Sequence, residues 1–281
     1  MSKEDWDKII KPKTGWFDLP VKDLYKYRDL ILLFVKRDFV TFYKQTILGP
    51  LWYIIQPLVN TIIFTVIFGR IAKIPTDGTP PFLFYMAGTV VWGYFSVCII
   101  ATSNTFVNNA GIFGKVYFPR LCIPLSIVIT GLVQFMIQFL IFLCFYLYYW
   151  IEGADVKPTY WVMLLPLIII QMMILGLGVG IFISSLVTKY RDLTFAMSFG
   201  VQLWMYVTPI VYPMTQVPEQ YHVLYAVNPM VSIVELFRLM FFGVSSIQLV
   251  HIVTSIVLTM TVFVFGVLLF SKIEKTFMDT V

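Results

Sequence analysis

The residues able to do chemistry are few and scattered. General acid or base catalysis needs a carboxylate or imidazole held near its substrate, and the candidates are Glu152, Asp155, Glu219 and Glu235, which form no evident cluster. Glu235 and Arg238 stand three apart, a spacing that puts both on one helical face, where pairing lowers the cost of charge at membrane depth. His251 lies near the end of a long apolar run, and we read it as a hydrogen-bonded surface histidine rather than a proton relay. GIFGKV at 111–116 resembles a phosphate loop only faintly. Such a loop has four residues between its glycines, Ser or Thr after the Lys, and a buried strand before it, and this segment lacks all three. Cys98, Cys122 and Cys144 fall in or beside apolar runs without metal-ligand spacing, so no metal site is expected and they read as small apolar fillers.

The elements around these residues account for the scarcity. Of 281 residues, 59% are hydrophobic and 12% charged, where a soluble domain carries roughly a quarter charged residues, and the mean hydropathy is +0.85. This composition is that of an all-α integral membrane protein. A hydrocarbon core about 30 Å thick needs roughly 20 helical residues, and six runs qualify, at about 51–68, 82–101, 121–150, 160–187, 193–212 and 247–270. Gln56, Pro57, Asn60 and Thr61 interrupt the first, which is expected to face protein or water rather than lipid. Gly176, Gly178 and Gly180 in the fourth form a small-residue stripe suited to close helix approach. The aromatic cluster 145–150 suits the headgroup level.

Ahead of the spans, residues 21–46 repeat apolar side chains at three- and four-residue steps, Tyr27, Phe34 and Phe42 among them, with Lys36 and Arg37 opposite. An amphipathic helix in the headgroup plane is expected, since no other apolar element precedes the membrane to cover that face. Between the fifth and sixth spans, 231–242 is apolar but too short to cross, which suggests a re-entrant or interfacial hairpin. The chain divides into a cytoplasmic segment 1–46, a six-span domain 47–270 and a cytoplasmic tail 271–281. With both termini inside, sixteen of the twenty Lys and Arg fall on the cytoplasmic side, including Lys115 and Arg120 in the acid-free segment 108–120.

No Asp, Glu, Lys or Arg lies inside these six runs. Secondary transporters place such groups at mid-membrane to bind ions and relay protons. Active movement by this chain would therefore draw its energy from another polypeptide acting on the cytoplasmic loops.

Five stretches in order, GPLWYIIQPL (49–58), FYMAGTVVWGYF (84–95), FPRLCIPLS (118–126), KYRDL (189–193) and NPMVSIVELFR (228–238), resemble the transmembrane subunit of type-two ABC exporters. The similarity is greatest to permeases that export lipid-linked polysaccharide such as O-antigen or teichoic acid. It implies a homodimer in the bacterial inner membrane, bound to two separate ATPase subunits that carry ATP and Mg, with no cofactor on this chain and no nucleic acid among its partners. It also implies an ATPase-coupling segment containing Asn108, Asn109, Gly111, Phe113, Lys115, Tyr117, Pro119 and Arg120, and a smaller contact at Lys189, Tyr190, Arg191 and Asp192. The 21–46 helix becomes a gate helix touching membrane lipids, and 213–243 becomes a pair of re-entrant elements. Trp52, Tyr53, Tyr85, Trp92, Tyr94, Phe95, Trp204 and Tyr206 are, as a group, the expected sugar-stacking surface of the channel. The alternatives are export of a small hydrophobic compound by the same architecture, or a membrane-embedded glycan transferase using Glu235.

Overall fold

The computed structural model describes residues 21–280 apart from 45–47, 191 and 246, so the segment 1–20 lies outside the described residues. Among the described residues every element is helical. The amphipathic segment is two helices, α1 (Val21–Lys26) and α2 (Arg28–Lys44), meeting at Tyr27. The membrane part follows as α3 (Trp52–Phe64) with a π-helical extension Thr65–Ile71, α4 (Pro81–Ser103), the short α5 (Thr105–Phe113), α6 (Cys122–Ile151), α7 (Leu165–Val187) preceded by a 3₁₀ turn, α8 (Leu193–Val207), the short α9 (His222–Ala226), α10 (Pro229–Phe242) and α11 (Leu249–Thr280). Among the described residues, five helices are long and apolar enough to cross a membrane. A bent pair, Glu219–Ala226 with Pro229–Phe242 at 104°, makes a sixth candidate.

Two boundaries differ from those expected. The fifth apolar run does not stay helical to 212, because α8 ends at Val207 and Thr208 turns extended (ψ 138°). Pro209 is the reason, since its ring clashes with a helical residue before it. With 15 residues, α8 is about 22 Å long, short of the hydrocarbon thickness. At the other end, the charged tail continues the last span as helix to Thr280.

The packing centres on α4. Leu83, Tyr85, Met86, Val90, Phe95 and Ile99 are all essentially inaccessible, on every side of the helix, which is how a helix surrounded by other helices reads. Glycines let α7 approach two neighbours at once. A Cβ on Gly176 would lie 2.7 Å from Cβ of Cys98, and one on Gly180 2.6 Å from Cβ of Thr102, both on α4. Gly178 faces the other way, where a Cβ would meet Cα of Phe263 at 2.7 Å, and a Cβ on Gly266 would collide with the Gly178 carbonyl. The stripe thus serves α4 and α11 alternately. Such backbone proximity maximises van der Waals contact where lipid offers no hydrophobic drive between helices.

Around this trio, α6 packs through an aromatic cluster in which Phe142 lies 5.3 Å from Phe237 and 5.1 Å from Phe241 of α10. In contrast, Val59, Ile62, Ile63, Val66 and Ile67 of the first span are exposed, as are Phe195, Phe199 and Leu203 of α8.

Candidate functional site

At the end of the bundle where α4 passes into α5, a compact platform is rooted by aromatics. Phe106 stacks on Phe270 of α11 at 4.7 Å, and Phe113 lies 5.8 Å from both Phe106 and Phe118. Phe118 in turn packs on Phe34 of α2 at 5.6 Å. Ile31 and Phe34 are therefore buried against protein, so the apolar face of the amphipathic helix does find a cover, and it comes from a segment later in the chain. The other side of α2 leaves Leu32, Leu33 and Lys36 exposed, while Arg37 pairs with Asp38 and lies over Phe34. The Phe42 side chain lies outside the described residues.

From this root a crest stands exposed, made of Asn108, Gly111, Lys115, Val116 and Tyr117. Asn109 donates to the Thr105 carbonyl, Arg120 lies over the Phe113 ring and Pro119 is half-buried, so these support the crest rather than cap it. The turn after α7 lies at the same end and presents Lys189 over Tyr190, with Asp192 exposed. Arg191 lies outside the described residues.

Between α3, α4, α6 and α8 opens a cleft of about 380 Å³. Its walls carry Gln56 and Asn60 from α3, Thr89 and Ser96 from α4, Gln134 and Gln138 from α6, and Ser198 and Gln202 from α8. Pro57 positions the first wall. It removes a backbone donor inside α3, and Thr61 bonds back to the Pro57 carbonyl at 2.7 Å and across to Thr89 at 3.1 Å. Each amide side chain both donates and accepts. Among the described residues, the lining contains no Asp, Glu, His, Lys or Arg.

The eight aromatics named above separate. Trp92 and Tyr206 line the cleft. Tyr85, Tyr94 and Phe95 are buried inside the helix bundle instead, and Trp204 turns toward α4, 5.2 Å from Phe95. Trp52 is exposed at the start of α3, with Tyr53 half-buried beside it. Gln56 and Asn60 were marked as facing protein or water, whereas Gln134, Gln138 and Gln202 are the part of the cleft that the sequence reading missed. Their signal was present in Gln134 and Gln138, a polar pair one turn apart in an otherwise apolar span.

At the far end of the bundle, Glu235 and Arg238 of α10 are bonded at 3.1 Å and almost fully buried. Ser245 donates to the second Glu235 oxygen at 3.0 Å, so this carboxylate is occupied as an acceptor on both sides. The pair is less isolated than the chain order implies. His222 and His251 line a cavity of about 20 Å³ beside Glu235, room for about one water.

A bundle of membrane-length helices with a polar cleft between them and a rooted crest at one end defines a multi-pass permease. Residues 29–242 match the ABC-2 type transporter, and the chain belongs to that family. It is similar to the O-antigen export system permease protein RfbA of Klebsiella pneumoniae, at 30% identity over 255 residues, covering 89% of this chain and 94% of the relative. RfbA of Myxococcus xanthus is 26% identical over 227 residues, 79% and 84% of the two chains. The polysialic acid transport protein KpsM of Escherichia coli is 25% identical over 204 residues, 72% and 77%.

Proposed function

We propose that this chain is the permease subunit of an ATP-driven exporter that moves a lipid-linked polysaccharide, O-antigen or a similar cell-surface glycan, across the bacterial inner membrane. It acts as a homodimer with two copies of a separate ATPase that bind ATP and magnesium, and both its termini are cytoplasmic. The observation that carries this reading is the chemistry of the cleft. Five amide side chains and three aromatics line it, a surface that hydrogen-bonds hydroxyls and stacks on sugar rings without holding an ion. A cargo that is small and hydrophobic would leave those amides unpaired, at a cost. A transferase would need a free base, and Glu235 is held by Arg238 and Ser245.

Force enters at the crest of α5, in this account. A partner pressing on Lys115 and Tyr117 meets an aromatic root continuous with α11 and α2, so a push is passed to the spans rather than absorbed. The cleft is open on one side, bordered by the exposed faces of α3 and α8. A second copy against those faces closes it into a channel, and the bent pair around α10 dips back into the membrane as a re-entrant exit element.

Deleting the gene in the native host tests the reading. Undecorated lipid-linked polymer accumulates in the cytoplasmic leaflet, and an ATPase co-purifies with the tagged chain from wild-type membranes. Normal surface glycan in the deletion strain contradicts the proposal.

A further inference from the structure

The end of α8 has to be held by something other than its own helix. Beyond Val207 the peptide groups of Thr208 to Ile210 leave helical geometry, and carbonyls at such an exit need partners where water is scarce. Arg238 supplies them. One guanidinium nitrogen donates to the Pro209 carbonyl at 2.6 Å, the other to the Ile210 carbonyl at 3.0 Å. The same group bonds Glu235 at 3.1 Å and lies over the Phe84 ring of α4 at 3.7 Å.

Two further contacts converge on this joint. Asn228, which caps α10 by accepting from the Met230 amide, donates to the Thr208 hydroxyl at 3.0 Å and accepts from the Trp204 indole at 3.1 Å. Ile210 lies against Gly88 of α4, where an added Cβ would come within 2.9 Å of its side chain and 3.3 Å of its Cα and carbonyl oxygen. α10 is itself fixed, through the Phe142 cluster to α6 and through hydrogen bonds with α11, from Ser255 to the Pro229 carbonyl and from Ser232 to the His251 carbonyl. It therefore acts as a bracket between α8 and the packed centre.

We propose that Arg238 and Asn228 are positioning residues that set where the end of α8 rests on α4, and thereby the width of the cleft that Ser198, Gln202 and Tyr206 line. This rests on the reading of the cleft as the glycan's path. Guanidinium geometry is essential to it. Lysine keeps the charge but carries its three donors on one nitrogen, which cannot span two carbonyls and a carboxylate as two guanidinium nitrogens do.

The test uses the full chain in its native membrane with the ATPase partner present. Cys144, the exposed native cysteine, is replaced by Ser. Ser96→Cys with Gln202→Cys then reports the cleft, and Phe182→Cys with Phe265→Cys reports the α7 and α11 pairing. Each pair is cross-linked with bis-maleimides of graded length in three backgrounds: wild type, Arg238→Lys, and the double variant Glu235→Leu with Arg238→Met. The last removes both charges together, an exchange that commonly leaves folding intact. The proposal expects normal protein level and ATPase binding, a shifted optimum reagent length for the cleft pair alone, and a loss of export, as when a supporting shell leaves a site about 1 Å too loose. An unchanged cleft profile in accumulating variants overturns it, as does a shift of both pairs together, which marks a merely structural role. A shifted cleft profile with wild-type export leaves the positioning role standing and overturns the cleft as the route.

Discussion

Helices α4, α7 and α11 meet backbone to backbone, while α3 and α8 touch the rest of the protein along narrow edges. In the first region α4 is buried over most of its length, and glycines at 176, 178, 180 and 266 permit the contact. In the second, 11% of the span formed by α3 and its extension is buried, and α8 leaves large apolar side chains exposed along its length. The cleft lies across the boundary, with α4 and α6 on the fixed side and α3 and α8 on the loose side. Packed cores switch between discrete arrangements and do not deform smoothly, so relative motion concentrates where packing is sparse. Under the proposed function, the conformational change of transport would fall in the α3 and α8 walls, moving against the second copy, with the bracket around Arg238 setting one end of α8.

The largest effect that breaks this contrast is expected from Gly266→Val. Its side chain has nowhere to go but into the Gly178 carbonyl, and overpacking of this kind costs about 3 kcal/mol. The variant should unfold earlier in a detergent thermal ramp and fail to accumulate. A wild-type midpoint would show that the α7 and α11 contact is not rigid. A smaller and different effect follows from Gln138→Leu on the cleft wall. Its volume is similar and its site already packs against α4, so level and midpoint should hold while export of the glycan drops several-fold, about 1 kcal/mol for one lost hydrogen bond. Export that falls only in step with protein level would erase the distinction between the two regions.

Much of this organisation is legible in the chain. Apolar runs of spanning length mark α4, α6, α7 and α11, and the Gln56, Pro57 and Asn60 interruption marks α3 as a helix facing something polar. Hydropathy could not locate the end of α8, because 208–212 is nearly as apolar as the helix before it, though Pro209 was the stop signal. Aromatic content was a poor guide to the cleft. Tyr85, Tyr94 and Phe95 differ from Trp92 and Tyr206 in neighbours, not in kind, since rings serve packing and recognition equally well inside a membrane. The joint between Arg238 and residues 209–210 joins positions nearly thirty apart, a proximity that only the fold creates. The short spacing of Glu235 and Arg238 signalled a pair, but not what the pair holds.

The proposed function makes this chain a conduit without its own energy source, worked from the face bearing α5. Reconstitution of the purified chain in liposomes, with and without its ATPase partner and under imposed proton and sodium gradients, tests it most directly. The account predicts movement of lipid-linked glycan only when the partner and ATP are both present on the side of the Lys115 crest. Uphill movement driven by an ion gradient through the chain alone would contradict it.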